Sequence, residues 1–180
     1  ASVMFALERL GARALLTDDP ARIAEAERVI LPGVGAAAYA MRRLDEHGLS
    51  DALRGFKRPL LGICLGQQLL YERSEEGDAA GFGLVPGNVT KLPASTEAPA
   101  PHMGWSRLLD VRTHPLTEGV EPNSYAYFVH SYQLNPEDAA DLVARADYGG
   151  PITAIVGRDT LAGTQFHPEK SQKLGLALIA

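Results

Sequence analysis

An apolar run that leads directly into a glycine-flanked cysteine limits the fold of this chain more than any other segment. Residues 60–64 are apolar enough for a buried strand, and Leu65-Gly66-Gln67-Gln68 continues as the start of a helix. Gly62 and Gly66 permit a tight turn between the two, which presents the thiol of Cys64 at the carboxyl end of a sheet. A helix N-terminus and a nearby imidazole would both favour a reactive thiol. The pattern predicts a nucleophile at Cys64, the alternative being a small buried hydrophobic residue.

Helices and strands alternate in the first half of the chain. Apolar spacing and capping residues predict, in order, helix 2–10, strand 12–16, helix 20–26, strand 29–31, and helices 36–44 and 49–57. Such alternation predicts an α/β fold with a parallel sheet covered by helices on both faces. Ligands of such sheets gather at the carboxyl ends of the strands.

From Gly81 onward, prolines and glycines interrupt short apolar stretches, which is typical of turns and antiparallel strands. Candidate strands cover 103–109, 125–131, 142–147, 152–157 and 161–166, and a last helix begins near residue 172. We find neither an internal repeat nor a low-complexity linker. With a length of 180 residues, the chain is expected to form one domain over residues 1–180.

The charge and cysteine content exclude several classes of partner. The formal net charge is −5 and no Lys/Arg run occurs, so neither nucleic acid nor an acidic membrane is expected to bind. A single cysteine cannot form an internal disulfide, and neither a secretory signal nor a membrane-spanning stretch is found. These observations indicate a cytoplasmic protein.

A histidine and an acid follow the last predicted strand. His167 comes directly after residues 161–166, so its side chain would lie at the same sheet edge as the Cys64 thiol. Pro168 fixes the backbone between His167 and Glu169, which allows the carboxylate to hydrogen-bond one ring nitrogen and leave the other for the thiol. The sequence therefore predicts a Cys-His-Glu relay, although a single His or Glu in isolation is usually a surface residue.

A glycine-rich turn, Gly33-Val34-Gly35, ends the strand 29–31. Its backbone N–H groups, that of Val34 in particular, could stabilise an oxyanion together with the N–H of Leu65. The alternative is a dinucleotide-binding loop, because Gly33-x-Gly35-x-x-Ala38 fits that fingerprint. The fingerprint also requires an acid at the end of the next strand, and that strand ends in Cys64.

No metal or cofactor is predicted. The remaining histidines show neither of the common zinc-binding spacings, and one cysteine is too few for the usual sulfur cages; these histidines are His47, His102, His114 and His130.

Together these motifs resemble the class I (triad) glutamine amidotransferases and, among them, the glutaminase subunits of imidazole glycerol phosphate synthase. The family resemblance rests on Gly62-Ile63-Cys64-Leu65-Gly66 and His167-Pro168-Glu169. The closer resemblance rests on blocks spread over most of the chain: 29–35, 72–77, 101–105 (Pro-His-Met-Gly-Trp), 127–132 and 170–172. The resemblance implies a flavodoxin-like, doubly wound, mostly parallel sheet with a smaller antiparallel portion.

The resemblance also implies a reaction. Cys64 would attack the side-chain amide of glutamine, His167 would shuttle protons and Glu169 would orient the imidazole. Ammonia would leave, and water would release glutamate from the thioester. In this family the ammonia passes through a (β/α)8-barrel cyclase subunit, the partner in a heterodimer, which makes imidazole glycerol phosphate and aminoimidazole carboxamide ribotide.

Further roles follow only from the resemblance. Gly35, Gln68 and the backbone of Ser131 and Tyr132 would hold glutamine, and Gly33 would join Val34 and Leu65 at the oxyanion. Residues facing the cyclase would be Met103, Trp105, Tyr127 and Lys170. The alternative for Trp105 and Tyr127 is a place in the core.

Three other functions fit parts of the pattern: an amidotransferase that feeds a different synthase, a stand-alone cysteine hydrolase, and a binding subunit in which Cys64 is inert. The chain also departs from the family at its start. Members normally begin with an apolar strand ahead of the first helix, and this sequence begins within that helix, so we expect the first strand to be missing from it.

Overall fold

A computed structural model describes residues 2–180. Within them lie six α-helices: α1 (Ser2–Arg9), α2 (Pro20–Glu25), α3 (Ala37–Glu46), α4 (Leu49–Gly55), α5 (Leu65–Gln68) and α6 (Gln172–Ile179). The same residues contain eleven strands: β1 (Val29–Gly33), β2 (Leu60–Cys64), β3 (Tyr71–Ser74), β4 (Ala79–Ala80), β5 (Val85–Lys91), β6 (His102–Arg107), β7 (Tyr125–His130), β8 (Tyr132–Pro136), β9 (Leu142–Asp147), β10 (Pro151–Arg158) and β11 (Leu161–Thr164).

Local chemistry explains where several helices begin. The carboxylate of Asp19 accepts a hydrogen bond from the N–H of Ala21 at 2.9 Å, and Pro20 occupies the first turn of α2. Both features stabilise a helix N-terminus. Gly48 separates α3 from α4 in a left-handed conformation, with φ 69°, which a residue without Cβ adopts at low cost.

The main sheet has five strands in the order β1-β2-β11-β10-β9. β1, β2 and β11 run parallel, with Gly33 opposite Cys64 and Thr164 opposite Ile63. β10 is antiparallel to both β11 and β9. The sheet therefore consists of a parallel half and an antiparallel half, and the three parallel strands end side by side at one edge.

Two smaller sheets complete the strand pairing. One has the order β4-β3-β5-β8, and the other is the antiparallel pair β6-β7. We call this pair the β6–β7 hairpin. In it Met103 lies opposite Val129 and Trp105 opposite Tyr127.

The core consists of two apolar clusters. Helices α2 to α5 contribute to the first cluster, and α6 contributes Leu174 and Leu178 to the second. Ile155 and Val156 are adjacent on β10 but belong to different clusters. Because adjacent residues of a strand point to opposite faces, the main sheet lies between the clusters and helices cover both faces, as the alternation predicted.

The predicted strand at 12–16 is wrong. These residues form no strand, and Leu15 and Leu16 are 66% and 77% exposed. An apolar run becomes a strand only when a neighbour accepts and donates its backbone hydrogen bonds, and among residues 2–180 no strand pairs with this segment. The strands β3, β4, β5 and β8 were not predicted individually.

No helix within residues 2–180 combines the length and apolar character needed to cross a membrane.

Candidate active site

Cys64 occupies the junction between β2 and α5. Its backbone has φ 54° and ψ −111°, a sparsely populated conformation that costs free energy for a residue with a Cβ. The flanking glycines make the junction fit: a Cβ on Gly62 would lie 2.7 Å from the backbone of Gln67, and a Cβ on Gly66 would overlap the carbonyl oxygen of Leu31. The glycines thus allow α5 to pack directly on β2 and β1 behind the cysteine.

His167 and Glu169 follow β11, the strand next to β2. The Nδ1 atom of His167 lies 2.9 Å from Oε1 of Glu169, and both side chains are almost fully buried. Interaction with Cys64 is among the causes that raise the pKa of this imidazole, so the thiol lies beside the ring. Because Nδ1 is engaged by the carboxylate, Nε2 is the ring nitrogen left for the sulfur. The structure therefore brings the three predicted triad side chains together.

The triad environment changes the proton affinity of His167. Burial alone would lower its pKa, but hydrogen bonds and electrostatic interactions with Cys64 and Glu169 outweigh burial and raise the pKa to about 9. Burial also opposes ionisation of Glu169, yet the hydrogen bonds from His167 and from its own backbone N–H keep the pKa of this carboxyl below its usual value. At neutral pH the pair is therefore an imidazolium facing a carboxylate.

The predicted oxyanion segment ends the strand beside the cysteine. A Cβ on Gly33 would lie 2.8 Å from the N atom of Gly66 and 2.9 Å from Cβ of Leu65, so the end of β1 touches the first residues of α5. Val34 is 81% exposed, and Gly35 has φ 92°. The turn and the N-terminus of α5 thus flank Cys64, and the oxyanion role of these backbone groups stays a prediction.

Of the residues predicted to hold glutamine, Gln68 and the Tyr132 carbonyl lie in one hydrogen-bond network. Gln68 Nε2 donates to the carbonyl oxygen of Tyr132 at 3.4 Å and to Oε1 of Gln165 at 3.1 Å. The carbonyl of Ser131 accepts from the N–H of Leu92 at 2.9 Å. Both amide hydrogens of Gln68 thus have acceptors in the protein, which leaves its Oε1 as the atom available to a ligand.

Sequence reasoning missed Gln165 and a histidine pair. His102 Nδ1 lies 3.0 Å from His130 Nε2, and His130 Nδ1 lies 2.7 Å from the carbonyl oxygen of Tyr132. Burial lowers the pKa of each histidine to about 4, so both are neutral at pH 7. The alternation of the two strands places these histidines on one face, and this alternation is the signal in the sequence that points to the pair.

The other face of the β6–β7 hairpin is exposed. Met103 is 62% and Trp105 47% exposed, while Tyr127 is half-buried with its ring 5.7 Å from that of Trp105. Trp105 is therefore not a core residue. Lys170, directly after Glu169, is also exposed. The residues predicted to face a partner thus lie on an accessible surface next to the triad.

Known sequences place this chain in a family. Residues 10–178 match the family described as glutamine amidotransferase class-I. The imidazole glycerol phosphate synthase subunit HisH of Xylella fastidiosa (strain Temecula1) is 48% identical over 178 residues, which cover 99% of this chain and 88% of that protein. The subunit of the same name from Aromatoleum aromaticum is 43% identical over 190 residues, covering 99% of this chain and 90% of that protein.

Solved structures share the fold. A crystal structure of a glutamine amidotransferase superposes with a TM-score of 0.74 at 20% identity, covering 97% of this chain and 88% of that one. The fold class and the family predicted from the motifs are therefore confirmed. The chain belongs to the class I glutamine amidotransferases and, within them, to the family of the HisH subunits of imidazole glycerol phosphate synthase.

Proposed function

We propose that this protein is the glutaminase subunit of an imidazole glycerol phosphate synthase, and that Cys64, His167 and Glu169 hydrolyse glutamine. The observation that carries this proposal is the buried Glu169–His167 hydrogen bond beside Cys64, whose interaction with the imidazole raises the His167 pKa, in a chain that is 48% identical to a HisH subunit.

The chemistry divides into two steps. In the first, the sulfur of Cys64 attacks the amide carbon of glutamine as a thiolate, the C–N bond breaks, and ammonia leaves with the proton that His167 donates. A glutamyl thioester and a neutral imidazole remain. In the second, His167 takes a proton from water and the resulting hydroxide attacks the thioester carbon. The C–S bond then breaks, which releases glutamate and restores the Cys64 thiolate. Both steps balance without a cofactor.

The oxyanion formed in each step needs donors. The backbone N–H groups of Val34 and Leu65, beside Gly33, are the proposed donors because β1 ends against the N-terminus of α5. Gly35, Gln68, Ser131 and Tyr132 are proposed to hold the glutamine. Each keeps the role that the family resemblance gives it.

The partner is proposed to be the (β/α)8-barrel cyclase subunit, bound through Met103, Trp105, Tyr127 and Lys170 in a heterodimer. Exposed apolar residues beside the triad would bring the barrel close to the point where ammonia is released, which supports channelling. We also propose that the chain acts as one domain, in the cytoplasm, with neither nucleic acid nor membrane as partner.

Glutamate release from glutamine tests the proposal when it is measured with and without the cyclase subunit, for the unaltered protein and for Cys64→Ala. We expect release that the cyclase stimulates and that Cys64→Ala abolishes. Release that is unchanged by the cyclase would instead favour the stand-alone hydrolase. No release under either condition, with Cys64 unreactive toward iodoacetamide, would favour the binding subunit and overturn the proposal.

A further inference from the structure

The side chain of Gln165 is fully buried between the triad and the proposed glutamine-binding residues. Its Nε2 atom lies 3.7 Å from the sulfur of Cys64, and its Oε1 accepts from Nε2 of Gln68 at 3.1 Å. Gln165 belongs neither to the triad nor to the residues that the sequence singled out. It nevertheless contacts the proposed nucleophile.

The orientation of the Gln165 amide follows from a fixed acceptor at the far end of the network. The carbonyl oxygen of Tyr132 can only accept, so His130 Nδ1, 2.7 Å away, must carry a hydrogen. The same carbonyl accepts from Gln68, which fixes the NH₂ end of Gln68. The second hydrogen of that NH₂ group then requires an acceptor, and this is Oε1 of Gln165.

Once Oε1 of Gln165 faces Gln68, the NH₂ end must face the sulfur. The histidine pair lies on the other side of the Tyr132 carbonyl. A hydrogen on His130 Nδ1 makes Nε2 of the neutral ring an acceptor for His102 Nδ1. Ser106 Oγ then donates to His102 Nε2 at 2.9 Å. Donors from both sides thus meet at the Tyr132 carbonyl, and each bond between Ser106 and Cys64 has one allowed direction.

We propose that Gln165 is a positioning residue that donates an N–H to the sulfur of Cys64, with its orientation set by Gln68 and the Tyr132 carbonyl. An N–H donor stabilises the sulfur when it is negatively charged, both before attack and when the thioester breaks down. The carbonyl of Val129, 3.9 Å from the sulfur, is suited only to the protonated thiol, as an acceptor. The proposal rests on the proposed function for the step that it assists.

The test compares Gln165→Met, which keeps the volume and removes the donor, with the unaltered protein. The measurement is the rate of alkylation of Cys64 by iodoacetamide from pH 5 to 10. His167, with Glu169 behind it, is the titratable group beside the sulfur, and His130 on β7 interacts electrostatically with His167; all three are unchanged in the variant. We expect the rate at pH 7 to fall about three- to tenfold and the profile to move to higher pH, because a bond to a charged group is lost.

Two further variants keep the test decisive. Gln68→Met leaves Gln165 in place but removes the donor that orients it, so we expect a smaller displacement of the profile in the same direction. Gln133→Glu, on β8, is a control for the preparation and assay of a variant protein, and we expect it to leave the alkylation profile unchanged. In the complex with the cyclase, Gln165→Met should lower kcat and leave KM within about twofold, because the donor acts on the sulfur rather than on bound glutamine.

Alkylation profiles of Gln165→Met and Gln68→Met that both coincide with that of the unaltered protein would overturn the proposal. If Gln165→Met does not fold, the Gln68→Met profile decides alone. Because alkylation needs no glutamine, a protein without glutaminase activity would overturn the proposed function while the alkylation comparison still gives its own answer.

Discussion

His167 is held through its ring, its backbone N–H and its carbonyl. Its ring contacts Glu169, its N–H donates to the carbonyl of Tyr127 at 3.0 Å, and its own carbonyl accepts from Ser171 Oγ at 2.7 Å. Ser171 Oγ is in turn 3.0 Å from the N–H of Tyr127. The imidazole is therefore placed by β7 and by the turn after β11 together, before any substrate binds.

The carboxylate of Glu169 determines which nitrogen of His167 faces the sulfur. Glu169→Gln should lower kcat by about 10²- to 10⁴-fold with little change in KM, because an amide can stabilise the wrong tautomer and cannot stabilise the imidazolium. Steady-state glutamine hydrolysis in the presence of the cyclase measures this. The exposed Glu27→Gln is the matched control and should retain full activity; a small loss in Glu169→Gln would exclude the assigned role.

At this scale the triad could be predicted because each part is local: a glycine-flanked cysteine, and a histidine separated from a glutamate by a proline. The row of bonds through Gln68 and Gln165 could not. Its members lie far apart along the sequence, and nothing in their local spacing marks an amide that contacts a sulfur.

At the scale of elements, the packing of α5 against the end of β1 determines where Cys64 stands. Gly66→Ala would place a methyl group on the carbonyl oxygen of Leu31. Since backbone cannot move aside cheaply, we expect a loss of about 3 kcal/mol or more in the free energy of unfolding, together with lower reactivity of Cys64.

Gly55→Ala is the matched control for that substitution, because a Cβ there meets open space at the end of α4. It should be neutral or stabilise by up to about 1 kcal/mol. Chemical denaturation of both variants measures their free energies of unfolding for this comparison. Equal stability of the two variants would show that the contact of Gly66 with β1 is not tight.

The β6–β7 hairpin permits a prediction about binding. Trp105→Ala should weaken association with the cyclase subunit about 10- to 100-fold, as expected for an aromatic residue at the centre of the proposed interface. Stability should change by less than about 1 kcal/mol, since the side chain is 47% exposed. Titration calorimetry measures the affinity, with Tyr39→Ala on α3, also exposed, as control. Equal effects of the two substitutions would argue against a specific role for the hairpin.

Most helices and most strands after residue 100 could be predicted from periodicity and caps, as with Asp19-Pro20 at α2. The absence of a strand at 12–16 could not be predicted, because apolar character does not reveal whether a strand has a neighbour to pair with. β3 and β5 were not predicted individually, because there the local sequence does not look like a strand although a neighbouring strand is present. Pro86 and Gly87 within β5 are typical of a turn, yet pairing with β8 makes this stretch a strand.

At the scale of the whole molecule, three buried histidines make stability depend on pH in opposite directions. Burial lowers the pKa of His102 and His130 to about 4, whereas the contacts of His167 raise its pKa to about 9. An unfolded histidine has a pKa near 6.5. The unfolded chain thus binds more protons than the folded one between pH 4 and 6.5, and fewer between pH 6.5 and 9.

We therefore expect the free energy of unfolding to be highest near pH 6.5. It should fall on the order of 2 kcal/mol toward pH 5, as the histidine pair gains protons on unfolding, and fall again toward pH 9, as His167 loses its proton. Urea denaturation across this range measures the profile. His167→Asn should flatten the alkaline side and leave the acid side; a stability that rises steadily to pH 9 would contradict the assignment.

The fold class could be predicted at this scale because alternating helices and strands leave few architectures. An antiparallel portion was predicted as well, but its place within the main sheet was not, because the order β11-β10-β9 depends on which hairpins close.

The β6–β7 hairpin has one further consequence. Its two rows of side chains, histidines inward and Met103 with Trp105 outward, depend on a strict alternation. Inserting or deleting one residue in either strand would exchange the rows, exposing the imidazoles and burying the indole in a single event. The strands can therefore change length only by two residues at a time. The connection between them is anchored by buried Leu108 and Thr117, whereas residues 118–119 and 121–123 are exposed. Length variation among relatives should be concentrated in that exposed part of the connection.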